Sequence, residues 1–263
     1  MIPESVLLNW RQDVAPWQSF AMVEQDLVLS RALVEIYSDD YLKQQLAFRG
    51  GTALHKLFLN PPSRYSEDID LVQINAEPIG QVLDRLRKVL QFLGKPSIEM
   101  GDRMVTMKFS FLTEMPPVVK LKLKVEMNCR EHFTELGYIH KDYEIATEWF
   151  SGKCQIITCK IEELLGTKLR ALYQRRKGRD LYDLYKALMT HDIDVALLIQ
   201  CYRKYMKFAV ETPPSGTEFL LNMESKMKTR QFLDDMTALI RPDEKYDQLA
   251  AYELVKTKIL QHL

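Results

Sequence analysis

The spacing of apolar residues changes once along this chain, and that change restricts the fold more than any other feature. Over residues 65–72, 104–111 and 118–127 apolar residues alternate with polar ones, the period of a strand with one wet face. Thr113 to Pro117 joins the last two as a hairpin. Beyond Ile156-Ile157 apolar residues recur every three or four positions, predicting helices over 162–173, 180–189, 195–208, 219–240 and 246–260, broken by a Pro213-Pro214-Ser215-Gly216 loop. Helical spacing also marks 20–46 (Val23, Leu27, Leu33, Val34, Ile36), 52–59 and 81–93, whereas the signal weakens after Gly137. The chain therefore reads as α+β: a mixed first half over residues 1–155 and a helical second half over 156–263, with no internal repeat.

Composition narrows the function classes. The 36 basic and 36 acidic residues leave no formal net charge, so any nucleic-acid partner must meet a local basic patch. Cys129, Cys154, Cys159 and Cys201 form no CxxC pair and lack histidines at zinc spacing, which points to reduced structural thiols. His55, near the glycine turn described below, reads as a packing residue. Residues 1–17 carry no signal pattern and charge interrupts every long apolar stretch, so no membrane partner and a cytoplasmic location are expected.

Asp68 and Asp70 are two apart in a strand and leave the same face, where two carboxylates repel unless a cation lies between them. Hard oxygen ligands select Mg²⁺ or Mn²⁺. On the strand over 121–128, Glu126 shares a face with Lys122, Lys124 and Asn128 and is its only carboxylate. Set beside the Asp68 strand, it completes three carboxylates able to hold two cations against a nucleoside triphosphate for in-line phosphoryl transfer. Taken alone, Asp-Ile-Asp reads as a solvated strand face, since the pattern is common. Upstream, Gly50-Gly51-Thr52 lies between apolar Leu46-Ala47-Phe48 and a short helix, where exposed amides and the Thr52 hydroxyl can approach phosphate.

A Gly-Gly-[Ser/Thr] turn, a short helix and Asp-x-Asp on a strand together resemble the polymerase-β-like nucleotidyltransferase superfamily. Phe48-Arg49-Gly50-Gly51-Thr52-Ala53-Leu54 with Arg64-Tyr65-Ser66-Glu67-Asp68-Ile69-Asp70-Leu71 is similar to the AbiEii/AbiGii (MenT-like) toxin family of type IV toxin–antitoxin and abortive-infection systems. A second block, Lys168-Leu169-Arg170-Ala171-Leu172 then Arg179-Asp180-Leu181-Tyr182-Asp183-Leu184, resembles that family's C-terminal motif. The resemblance implies a nucleotidyltransferase core, a mixed sheet with flanking helices, plus a C-terminal helical lobe. It implies an NTP substrate, an RNA acceptor such as the tRNA 3′ end, and a cognate antitoxin; a protein hydroxyl, a small molecule or a degenerate nucleotide-binding role stand as alternatives.

Residue by residue, the resemblance places Gly50, Gly51 and Thr52 on the triphosphate, Ser66, Asp68 and Asp70 at the metal site, Lys168 on nucleotide phosphates, and Asp180 or Asp183 in the catalytic set. Glu126 stands where an aspartate is common. Ser66 is also implied as a regulatory phosphosite, its phosphate repelling the carboxylates. Lys168, Leu172, Arg175, Arg179 and Asp183 make a basic stripe if one helix runs through Gly178; otherwise Asp180 caps a new helix or Asp183 pairs with Arg179. Tyr202 to Phe208 interleaves basic and aromatic residues as an RNA-contacting surface does, and Arg175-Arg176-Lys177 adds charge; amphipathic helix packing is the favoured reading of the first.

Overall fold

In the computed structural model, which describes residues 2–263, the alternating segments join one mixed sheet. Its strands are β1 (Leu46–Arg49), β2 (Asp68–Gln73), β3 (Ser97–Met100), β4 (Met104–Leu112), β5 (Lys120–Asn128), β6 (Tyr138–Ala146) and β7 (Ser151–Cys159), ordered β3-β4-β5-β2-β1-β7-β6. The β2–β5 and β1–β7 pairs are parallel and the others antiparallel. β4 and β5 form the expected hairpin, from Met104 opposite Asn128 to Leu112 opposite Lys120. Strand pleat then sorts their residues: Val105, Met107, Phe109, Leu123, Val125 and Met127 are buried, while the lysines and Glu126 take the other face.

The apolar face is covered by α2 (Phe20–Ser38), capped at Ser19, whose hydroxyl accepts from the Met22 amide at 3.3 Å. α2 packs against β2, β5, β6 and β7, and each buried Leu, Ile or Val it contributes is worth about 1.5–3 kcal/mol. α1 (Glu4–Asp13) lies against α2. The helical reading of 20–46 is too long: α2 ends at Ser38, one turn of α3 (Leu42–Gln45) follows, and Leu46 already belongs to β1. α4 (Gly50–Leu57) and α5 (Gly80–Val89) complete this unit, which comprises residues up to Phe133 together with Tyr138–Cys159.

The second unit comprises Thr134–Gly137 and Lys160–Leu263, so the sheet unit runs to the end of β7 rather than stopping at residue 155. Its helices are α6 (Ile161–Gln174), α7 (Gly178–Thr190), α8 (Val195–Ala209), α9 (Gly216–Lys226), α10 (Arg230–Leu233) and α11 (Gln248–Lys258). Asp194, Ser215 and Asp247 cap α8, α9 and α11, and Glu218 closes a capping box with Ser215. The single helix expected over 219–240 is broken because the Thr229 hydroxyl donates to the Lys226 carbonyl at 2.8 Å and ends α9 there. Thr134–Gly137 joins this unit through Glu163. That buried carboxylate accepts from the Thr134 and Tyr205 hydroxyls and the Glu135 and Leu136 amides at 2.7–2.9 Å. Among the described residues no helix is long and apolar enough to cross a membrane.

Candidate active site

β1 and β2 set the geometry. Arg49, the last residue of β1, lies opposite Asp70 in the antiparallel ladder, and the chain turns at Gly50, φ 79°, into α4. A β-carbon at Gly50 would lie 2.0 Å from Asp70 Oδ2, so the carboxylate rests on the backbone where α4 begins, a place only glycine can occupy. No side chain caps α4 at its N-terminus, and its first amides and dipole give that end partial positive charge. The turn thus sets backbone amides, chemically suited to an anion, beside a carboxylate, chemically suited to a cation.

Thr52 serves differently from the sequence expectation. It is 1% exposed, and its hydroxyl donates to the Asp68 carbonyl at 2.6 Å. With that proton spent, the 2.8 Å contact between the Thr52 and Ser66 hydroxyls has Ser66 as donor. The Thr52 hydroxyl therefore ties α4 to the start of β2 rather than reaching outward. β2 begins at Asp68, so Ser66 lies in the approach to the strand and not in the aspartates' pleat, its hydroxyl turned to Thr52.

The parallel pairing of β2 with β5 puts Asp70 opposite Glu126 and Asp68 opposite Lys124, so Asp68, Asp70 and Glu126 share one face. Burial pushes the Asp68 carboxyl up to about 6; Lys124 opposes the shift, and the charges of Asp70, Glu67 and Glu126 add to it. The Lys124 ammonium stands 3.8 Å from Asp68 Oδ1, and that buried oxygen accepts no hydrogen bond. A half-buried, repelled carboxylate with an unsatisfied oxygen is the environment a hard divalent cation relieves, so the donor set fits Mg²⁺ or Mn²⁺ in chemistry. As the side chains stand, no three His, Cys, Asp or Glu among the described residues converge closely enough to hold an ion.

The second block folds as two helices, because α6 ends at Gln174 and α7 starts at Gly178, and the continuous basic stripe does not form. A β-carbon at Gly178 would lie 2.3 Å from the Phe232 carbonyl, so close packing as well as the chain turn fixes glycine there. Lys168, 6% exposed, places its ammonium 3.2 Å from Asp180 Oδ1 and 3.0 Å from Asp183 Oδ2, and both aspartates are fully buried. Arg175 adds a two-pronged pair to Asp180 at 2.7 and 2.8 Å. Burial alone raises the Asp180 carboxyl, but Lys168 and Arg175 together hold it below the usual range. Asp180 is thus an ion-pair centre rather than a cap, and Arg179 pairs with Asp235 at 3.2 Å instead of Asp183.

The aromatic and basic segment in α8 packs rather than presents a stacking platform. Tyr202 and Tyr205 are buried, Arg203 donates to the Leu263 carbonyl at 3.1 Å, and Lys204 lies 4.0 Å from Glu135. Three contributors were given no role by the sequence reading. Arg49 donates to Glu131 at 2.5 Å beside the glycine turn. Lys124 is readable only once β2 and β5 are paired. Asp26, in the middle of an apolar helix, accepts from Lys56 of α4 at 2.7 Å and from the Trp10 and Trp17 indoles at 2.9 and 3.3 Å, fixing α4 and the turn before it.

Relatives agree with this architecture. The family model for the nucleotidyl transferase AbiEii toxin, type IV toxin–antitoxin system, matches residues 31–252. No curated protein matches the chain. The chain is similar in structure to the nucleotidyltransferase toxin MenT4 of Mycobacterium tuberculosis H37Rv: 16% identity, all of this chain and 91% of that one covered, TM-score 0.69. A structure from H. pylori assigned to the nucleotidyltransferases has 18% identity, covers 92% of this chain and 94% of that one, and gives a TM-score of 0.53. At these identities the two structures support the fold, while the match over most of the length carries the family. A sheet whose glycine turn abuts an acidic strand, on a chain matched from residue 31 to 252, belongs to the AbiEii family of nucleotidyltransferase toxins of type IV toxin–antitoxin systems.

Proposed function

We propose that this toxin transfers an NMP group from an NTP to an RNA acceptor, the tRNA 3′ end by family resemblance, using two divalent cations at Asp68, Asp70 and Glu126. The observation that supports this reading is that Asp70 rests against Gly50 at the start of α4 and faces Glu126 across β2 and β5, so the backbone amides of the turn and the carboxylates share one edge. When bound, the cations stabilise charge on the attacking and leaving oxygens. The amides of Gly50, Gly51 and Thr52 hold the triphosphate, and Ser66 and the Thr52 hydroxyl fix the approach of Asp68. The acceptor hydroxyl oxygen bonds to the α-phosphorus, the α–β bridging bond breaks, pyrophosphate leaves, and the hydroxyl proton passes to an available carboxylate or to water.

Lys168 is read, as in the family, as the residue for nucleotide phosphate, with Asp180 and Asp183 holding its ammonium rather than meeting substrate. The substrates put the reaction in the cytoplasm, where the antitoxin implied by the family opposes it. The test incubates the protein with each labelled NTP, Mg²⁺ and total RNA, alongside Asp68→Ala and Lys168→Ala. Label on tRNA from the wild type alone supports the proposal. Label on protein moves the acceptor to a protein hydroxyl, and nucleotide binding without transfer overturns the catalytic reading.

A further inference from the structure

We infer that the open face of the β4–β5 ribbon is the track on which a single-stranded end of the acceptor RNA runs into the carboxylate site, its phosphates held by Lys120 and Lys122. This rests on the RNA-acceptor reading above and adds the surface that takes the RNA.

Register supplies the argument. Lys120, Lys122, Lys124 and Glu126 alternate along β5 and therefore share one face, the face that Asp70 joins through its pairing with Glu126. From β4, Thr106 lies opposite Glu126, Lys108 opposite Lys124, Ser110 opposite Lys122 and Leu112 opposite Lys120. Lys120, Lys122 and Lys124 thus extend in a row along β5 from the three carboxylates toward the hairpin end, with Lys108 of β4 beside Lys124. The buried apolar residues of both strands take the opposite face, which leaves this one to solvent.

Two of the four are already neutralised, Lys108 by Glu99 at 2.5 Å and Lys124 by Asp68 at 3.8 Å. Lys120 and Lys122 are exposed, and among the described residues no carboxylate pairs with either. Two like charges, about 6.8 Å apart along a strand, repel each other and are stabilised by an anion that repeats at similar spacing. An extended nucleic-acid backbone is such an anion. Leu112, 63% exposed opposite Lys120, adds an apolar surface for the face of a base, and the Ser110 hydroxyl adds a donor.

The rest of the molecule favours this choice. With no net charge overall, an RNA partner needs a local basic surface. The basic residues of 175–177 and 203–204 are largely committed: Arg175 to Asp180, Lys177 to Asp235, Arg203 to the Leu263 carbonyl and Lys204 to Glu135. Lys120 and Lys122, by contrast, are unpaired among the described residues and share the strand face of the acidic site, to which Lys124 joins them. Lys120 lies six residues from Glu126, about 20 Å along the strand, a length suited to a few unpaired nucleotides rather than a duplex.

The test compares wild type, Lys120→Gln/Lys122→Gln and Lys120→Arg/Lys122→Arg as full chains, by binding of fluorescein-labelled tRNA across salt concentrations and by label transfer from NTP. The glutamine pair is expected to bind RNA about tenfold more weakly, with a salt slope smaller by about 1.4, and to raise the KM for RNA while that for NTP stays unchanged; the arginine pair retains wild-type values. Melting temperatures equal to wild type exclude misfolding at these exposed sites. RNA labelled by the wild type with affinity and salt slope unchanged in the glutamine pair overturns this inference and leaves the RNA-acceptor reading standing. No labelled RNA from the wild type, or label on protein instead, overturns both.

Discussion

At Gly50 two requirements meet in one residue: a φ of 79° and a Cα against which the Asp70 carboxylate rests. Gly50→Ala should therefore cost about 1–2 kcal/mol for the left-handed backbone and push Asp70 off the shared face. We expect kcat for NTP turnover to fall at least about 100-fold, a barrier of about 2.7 kcal/mol, with the melting temperature lowered by only several degrees; a variant that turns over normally contradicts the placement of Asp70. Gly-Gly-Thr and Asp-x-Asp were readable in the sequence because both need particular residue types. The inward turn of the Thr52 hydroxyl was not, since it depends on where Asp68 and Ser66 lie in space. Nor was the enclosure of Lys168 by Asp180 and Asp183, twelve and fifteen positions further on, because the chain between them first had to fold into two helices rather than one.

Elements were legible where alternation or helical spacing was strong, as in β4, β5, α2 and α6 to α8. β6 escaped because Lys141 interrupts its apolar alternation, spending its charge over the Phe58 ring at 4.6 Å, a contact with no sequence signature, and β7 because Gly152, Cys154 and Thr158 leave Ile156 as the one large apolar residue on its inward face. β3 is short and mostly exposed. The anchoring of α4 was equally hidden, resting on the buried Asp26–Lys56 pair between α2 and α4. Asp26→Ala strands the Lys56 ammonium in the core and should destabilise the protein by about 3–5 kcal/mol. Lys56→Met should cost less, because Asp26 keeps the Trp10 and Trp17 indole donors. Chemical denaturation of the two variants checks the order; a Lys56→Met variant as unstable as Asp26→Ala would show that the indoles do not sustain the carboxylate.

For the whole molecule, one buried base links stability to pH. Burial lowers the Lys226 ammonium to about 8, with Asp180 opposing the shift, and the nitrogen donates to the Leu172 carbonyl and to the Tyr173 carbonyl at 2.7 Å. A neutral amine keeps two donors for those two carbonyls. The unfolded chain binds this proton up to the ordinary lysine range, so between about pH 8 and 9.5 the unfolded state holds more protons and stability rises with pH. Relative to Lys226→Met, the wild type should gain of order 1 kcal/mol over that window; parallel pH profiles for the two proteins contradict the assignment.

The proposed transfer requires the acidic face to work as one site. Asp68 is the sensitive member, pushed up to about 6 and left with a buried oxygen that accepts no hydrogen bond. The most direct measurement counts Mn²⁺ bound per chain by electron paramagnetic resonance, with a non-hydrolysable NTP analogue, in wild type and in Asp68→Asn. Two ions in the wild type, lost in Asp68→Asn while the metal-free variant melts at a higher temperature than metal-free wild type, is the predicted result. No Mn²⁺ bound by the wild type, or nucleotide transfer that persists in excess chelator, contradicts it.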